Sequence, residues 1–202
     1  SAGDLYTLVG WGICRGVGRS VRNYTKKDRI FSACAGAAIY CRAVFEEIGY
    51  FDETHFAYLE DIDIGYRAQI HGYENMYCPT ALVYHVGSGT SGSKYNSFKV
   101  KLSSRNSVYL NYKNMPALLL LINAIPLLVG YGVKYMFFCR IGFGRDYREG
   151  IAEGLRTLSK CKKVGFRTRN IGNYLKIEWQ LFVNTLLYFG DWVKRKSSAG
   201  VS

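Results

Sequence analysis

The sequence has no acidic residue between Asn75 and Arg145, so its lysines and arginines there have no counter-charge close by in the chain. Residues 1–100 balance ten Lys/Arg against ten Asp/Glu, whereas residues 101–202 hold seventeen against five and supply the whole net charge of +12. A basic face of this kind attracts phosphates, whether of nucleic acid, nucleotide or anionic lipid. Charge alone specifies no groove reader, and no recognised nucleic-acid motif is present, so nucleic acid is not the expected partner. Six cysteines occur without a CxxC pair, which excludes the common zinc modules and a dense disulfide scaffold and fits a reducing, cytosolic setting. His55, His71 and His85 are scattered, with no HExxH, and no GxSxG nucleophile elbow occurs. The chain opens without Met, basic n-region or apolar h-region, so no secretory signal is read and a start in mid-protein is expected.

What is present can bury a core, since 49% of 202 residues are hydrophobic; one domain plus an appendage is the natural expectation. The opening "GWGICRGVGRS" reads as loop. "SACAGAAIYC" reads as a buried strand with close backbone approach at Gly36, followed by a short helix "RAVFEEIG" capped by Gly49. A second helix is expected from near Glu60 to His71-Gly72, then strands over "ENMYCP" and "ALVYHV" around Pro79. This part reads as a small α/β or α+β unit. Beyond Phe98 the pattern turns helical. "FKVKLSSRNSVYLNYKNM" reads as basic and amphipathic, and "ALLLLINAIPLLVGYGVKYMFF" is apolar for about the 20 residues that span a bilayer, although Asn123, Pro126 and Lys134 interrupt it. A last helix carries Trp179 and Trp192 at the ends of an apolar stretch and finishes in Lys194, Arg195 and Lys196, the composition of an interfacial segment.

Gly87 to Gly92 matches GxGxxG in letters, but a dinucleotide site wants an acid roughly 20 residues on, and none occurs. Extended to Ser93-Lys94, the same stretch resembles a phosphate loop with its last two positions reversed. A polar loop is the simpler reading.

"FAYLEDIDIGYR" places Glu60, Asp61 and Asp63 within four positions. Each acid raises the cost of ionising its neighbours, so such crowding needs a cation, a helix start or a chemical task. Acids in a first helical turn complement the dipole, and Asp63 to Arg67 is an i,i+4 pair on one face. That accounts for Asp63 and Arg67 as structural support. Glu60 and Asp61 remain at the helix mouth, where a side chain can point into a cleft.

Taken in order, Gly36-Ala37, "IGYFDETHFAYLEDIDIGYRAQIHGY", "YCPTALVYHVGSGTSG" and "SSRNSVYLNYKNMP" resemble the acceptor half of family 2 glycosyltransferases of the GT-A fold, particularly rhamnosyltransferase-like enzymes. The resemblance covers about Ile30 to Pro116. It implies an acceptor-side GT-A portion at residues 1–97, with the nucleotide-binding half missing upstream, and a basic helical region at 98–202. It implies that Asp61 is the catalytic base, with Glu60 and Tyr58 toward the acceptor, and that His85 helps hold a divalent metal, Mg or Mn. A strand histidine is otherwise a core residue, and it is the resemblance that turns the reading. Gly87, Ser88 and Gly89 would then close over donor phosphates through backbone N–H groups, with Arg105 approaching the diphosphate; outward-facing helix residues are the plainer account of Arg105 and Asn106.

The function so implied is inverting transfer from a nucleotide sugar to a cell-envelope polysaccharide or lipid-linked acceptor, at the cytoplasmic face of the membrane, with peripheral or monotopic attachment to anionic lipid. The other class left open is a non-catalytic membrane-binding or interaction module.

Overall fold

The computed structural model describes residues 1–84, 93 and 95–199, the side chains of 195–199 excepted. Its elements are β1 (Asp4–Tyr6), β2 (Gly12–Cys14), β3 (Asp28–Arg29), α1 (Arg42–Ile48), α2 (Glu60–Ile70), β4 (Met76–Tyr77), α3 (Ser97–Asn114), α4 (Ala117–Ile122), α5 (Ala124–Arg140), α6 (Gly144–Arg156) and α7 (Ile171–Ala199). The strands form two antiparallel pairs, β1 with β2 and β3 with β4. Helix dominates the rest.

Local chemistry explains the first helices. α1 ends where Gly49, at φ 80°, donates its N–H to Phe45 O, and α2 ends at His71 before Gly72 at φ 89°, both as the sequence predicts. The strand expected over "SACAGAAIYC" does not form. Only Ser32 bridges to Asp4; Ala35–Ala37 is a 3₁₀ turn, and Gly36 faces solvent rather than a packed backbone. "ENMYCP" yields two strand residues, and 81–84 of "ALVYHV" take no regular form. The stretch expected as loop contains β2, which pairs with β1 in a hairpin whose turn is tied by Trp11 N–H donating to Thr7 Oγ1 at 3.0 Å.

The regions 1–97 and 98–202 share one core. Tyr6, Phe31, Ile62, Tyr66 and Ile70 pack with Leu110 and Met115, Leu127, and Tyr174, Ile177 and Leu181. Tyr6, Phe31 and Tyr66 meet as a triad of rings 5.3–6.3 Å apart. α7 is stitched to the hairpin by Asn184 Nδ2 donating to Tyr6 O and by Leu8 N–H donating to Thr185 Oγ1. α3 is therefore not a surface amphipathic helix: Asn106, Ser107, Asn111, Lys113 and Asn114 are all buried with its apolar residues. α6, unmarked by any expectation, lies against it so closely that a Cβ at Gly150 would sit 2.0 Å from Ser104 Oγ and 2.2 Å from Lys101 O. Only glycine permits that approach.

The long apolar stretch breaks at Asn123, which separates α4 from α5 and donates to Glu178 on α7 at 2.8 Å. Among the described residues no helix is long and apolar enough to cross a membrane.

A buried ionic network locks α2 to α3. Asp63 is fully buried, and its Oδ2 accepts from Arg67 Nε (2.9 Å) and Lys113 Nζ (2.8 Å), while its Oδ1 accepts from Asn114 Nδ2 (2.8 Å). Burial opposes ionisation of Asp63, but Arg67 and Lys113 outweigh it and hold the carboxyl below its ordinary range. Arg67 also donates to the carbonyls of Ile48, Gly49 and Tyr50, and Lys113 to Asp52 Oδ2 at 2.6 Å, so the end of α1 and the segment before α2 join the same network. Asp63→Asn leaves two buried cations short of charge. Urea unfolding should show a loss of about 3–5 kcal/mol; a loss below about 1 kcal/mol would mean that the network does not hold the fold.

Candidate functional site

The segment entering α2 is strained. Phe56, Tyr58 and Leu59 have φ of 60°, 68° and 70°, three non-glycine residues in the left-handed half of backbone space within four positions. Each costs about 1–3 kcal/mol, and such residues persist only where their surroundings over-determine them. Here α3 does so. Asn106 Nδ2 reaches the carbonyls of His55, Ala57 and Tyr58 at 2.7–2.8 Å, and Arg105 donates to Thr54 O and His55 O. Asp52 caps the turn before it through Thr54 N–H, and buried His55 lies edge-on to Tyr109.

This corrects the expectation for Arg105. Its guanidinium donates to those two carbonyls, to Glu153 and to Asn106 Oδ1, and stacks on Tyr109. It braces the entry segment instead of reaching out to a diphosphate. Asn106 does the same work.

What the strain achieves is placement. The segment delivers Glu60 and Asp61 into the first turn of α2, where unpaired amides and the helix dipole favour a carboxylate. Asp61 and Gly65 share a face, one turn apart. At Gly65 the helix presses on the 31–32 segment, since a Cβ there would lie 2.4 Å from Ser32 Cβ. Asp61 is thereby brought over the chain that follows Ser32. A carboxylate oxygen of Asp61, Cys34 Sγ and a carboxylate oxygen of Asp4 lie within 4.8 Å of one another.

Asp4 reaches the cluster from β1. Its N–H donates to Ser32 O and its carbonyl accepts from Phe31 N–H, so β1 is fixed between β2 and residues 31–32. Its side chain is buried and Oδ1 has no hydrogen-bond partner. Burial, reinforced by Asp61, pushes the Asp4 carboxyl up to about 6. Burial also raises Asp61, against the pull of the Ile62 and Ala35 amides, and Ile62 N–H donates to Asp61 Oδ1 at 2.8 Å. Glu60 is raised by burial too, with Oε2 unpartnered. Tyr40 borders the group, and burial together with Asp61 lifts its phenol to about 12. Three carboxyls of raised proton affinity thus gather beside Ala35–Ala37, which are exposed.

Of the residues singled out in the sequence, Asp61 belongs to this group, Glu60 precedes it on α2, Tyr58 lies in the strained entry segment, and Asp63 and Arg67 belong to the buried network. His85, Gly87, Ser88 and Gly89 lie outside the described residues. Asp4 and Cys34 were not singled out. Residues far apart in the chain with no motif between them become neighbours only once the hairpin pairs, and the alternation in "DLY" and "GIC" is too short to announce it.

No family model matches the chain, and no solved structure matches it. Two curated proteins do, the N-acetylglucosaminyl-diphospho-decaprenol L-rhamnosyltransferases of Mycobacterium tuberculosis strains CDC 1551 / Oshkosh and ATCC 25618 / H37Rv; each is 39% identical over 51 residues. The match takes in 25% of this chain and 17% of each relative, so it links the chain to a glycosyltransferase over a part only.

The raised carboxyls have a consequence for stability. A carboxyl that titrates near 6 in the fold and at 3.8 when free stabilises the fold only while protonated, so its benefit is present below about 4 and lost as pH rises through 6. Asp4→Asn should therefore raise the thermal midpoint at pH 7 by several degrees, at about 2–4 °C per kcal/mol for a chain of this size. It should change it little at pH 4. A lower midpoint at pH 7 would mean that ionised Asp4 has a stabilising partner.

Proposed function

We propose that the chain is the acceptor-side part of a GT-A glycosyltransferase of family 2. In this reading it transfers a sugar with inversion from a nucleotide-sugar donor to a cell-envelope saccharide or lipid-linked acceptor. One observation carries this reading: a strained segment, fastened from behind by α3, sets Asp61 at a helix start with its proton affinity raised by burial. Such a carboxylate suits a general base, since raised affinity brings its proton-accepting strength closer to the working pH. The part-length likeness to rhamnosyltransferases supports the same class.

In this mechanism the acceptor hydroxyl lies against Asp61, which takes its proton as the oxygen attacks the anomeric carbon. Glu60 and Tyr58 orient the acceptor from the same strained segment. Leu59, between them, is in the left-handed region. Asp63 and Arg67 do not face the reaction; they fix the helix that carries it.

A divalent ion, Mg or Mn, would neutralise the departing diphosphate. His85, the ligand assigned to it, lies outside the described residues. The donors gathered at Asp61 include a thiol, which does not suit a hard oxygen-seeking ion. The resemblance assigns the donor's nucleotide contacts to sequence outside residues 1–202, so the assay belongs on the natural full-length protein. There Asp61→Asn should lower transfer by about 10² to 10⁴ while leaving affinity for the nucleotide sugar nearly unchanged. Near-normal turnover, or a loss that tracks a lost melting transition, would contradict the role.

Attachment to an anionic membrane surface on the cytoplasmic face belongs to the same proposal. Leu127, Ile177 and Leu181 turn into the core, whereas Leu121, Ile125, Leu128, Trp179, Leu186 and Trp192 stand exposed on the outer sides of α4, α5 and α7. Exposed Arg140, Arg145, Lys162 and Lys163 lie nearby in the chain. Apolar surface flanked by cations holds a helix at a lipid interface, and each cation near the surface adds about 1 kcal/mol. The same exposed faces favour the second reading, a membrane-binding module without catalysis. The chain should co-float with vesicles containing phosphatidylserine and resist release by high salt. Leu121→Glu with Leu128→Glu should abolish that; unchanged flotation would remove these helices from the contact. Membrane binding together with an activity indifferent to Asp61→Asn would favour the module.

A further inference from the structure

The cluster at Asp61 has a property that sugar transfer does not use. It brings a thiol into a group of carboxylates. Asp4, Cys34 and Asp61 each offer one donor atom, all within 4.8 Å of one another, a separation from which small side-chain shifts reach four-coordinate zinc geometry. Cys14 stands directly across the β1–β2 ladder from Asp4, so the two side chains share a face. The donors come from β1, β2, the turn after Ser32 and α2, four places held together by the hairpin pairing and by the contact of Gly65 with Ser32.

Crowded carboxylates alone would not make a site. The second observation is Asp4: its side chain is buried, it belongs to this cluster, and its Oδ1 has no hydrogen-bond partner. A buried acceptor left unpaired costs about 1–3 kcal/mol, more when charged, so its retention calls for a partner that the protein does not itself supply. A bound cation is such a partner.

We propose that Asp4, Cys34 and Asp61, with Cys14 as the fourth donor, form a site for a borderline divalent ion of the zinc class. Two carboxylates and two thiolates balance the charge of a doubly charged ion with two negative charges to spare. Thiolate donors select zinc, cadmium or cobalt over magnesium, calcium and manganese. A thiol ligates such an ion only as the thiolate, so binding releases a proton from each cysteine and affinity must rise with pH. If Asp61 is the base proposed above, an ion here takes its lone pair and stops transfer. That consequence rests on the proposed function, whereas binding itself does not.

The test is a titration of the reduced, metal-free chain with cobalt(II) under anaerobic conditions, reading thiolate-to-cobalt charge-transfer absorption. The expected result is one cobalt per chain, displaced by zinc and untouched by excess magnesium. Cys34→Ser should remove or strongly weaken the band, and Asp4→Asn should weaken binding tenfold or more, since even outer-shell partners contribute on the order of tenfold. Cys41→Ser and Cys78→Ser should leave the signal intact. Circular dichroism melts of each variant separate lost binding from lost folding, and Cys14→Ser, on an exposed strand position, serves if Cys34→Ser unfolds. Absence of the band, its persistence without Cys34 and Cys14, or its loss with Cys41 or Cys78 would overturn the site. Zinc inhibition of transfer in the full-length protein tests the consequence separately: tight cobalt binding with zinc-insensitive transfer would keep the site and remove Asp61 from the chemistry.

Discussion

The fully buried carboxylate of Asp63 is the constraint on which the rest of the structure depends. Four hydrogen-bonding elements converge through it: α2 bears the acid, α3 sends Lys113 and Asn114, Arg67 carries the link to the end of α1, and Lys113 extends it to Asp52. Burying these charges is expensive, and Coulomb attraction repays the cost only in good geometry with the remaining donors satisfied. Because the same α3 supplies Asn106 and Arg105 to the segment before α2, fixing α2 on α3 also fixes the strain at Phe56, Tyr58 and Leu59. The position of Asp61 is a product of that arrangement.

Two neighbouring acids on one helix therefore have opposite fates. Asp63 faces inward to cations and is held ionised; Asp61, two residues earlier, faces away from them, toward Asp4 and Cys34, and burial raises its proton affinity. The base role proposed for Asp61 and the bracing role of Asp63 rest on this difference of environment. The site is destabilised locally by strained backbone, an unpaired Asp4 oxygen and crowded acids, and the core formed by Tyr6, Phe31, Tyr66 and α7 offsets that cost.

Sequence made some of this legible. The i,i+4 spacing of Asp63 and Arg67 and the glycines at 49 and 72 follow from helix geometry, and they stand where the pattern puts them. The rest depends on contacts between distant residues. Lys113 lies 50 positions from Asp63, and in a basic stretch it looks like one more surface cation. Asn106, in "SSRNS", looked like an outward helix residue, yet its amide is wholly occupied by backbone carbonyls. "SACAGAAIYC" misled because an apolar run of small residues satisfies strand and turn equally well, and only the pairing of Ser32 with Asp4 decides which. Asp4 itself, within three residues of the chain's first, carried no local signal at all.

The separation of Asp61 from Asp63 can be measured directly by following the side-chain carboxyl carbons of the aspartates through a pH titration by NMR, assigned with Asp61→Asn and Asp4→Asn. The account predicts that Asp61 and Asp4 titrate above the ordinary carboxylate range and perturb one another, with Asp4 near 6, while Asp63 stays ionised below that range. An Asp61 that titrates at or below the ordinary value, independent of Asp4, would contradict it.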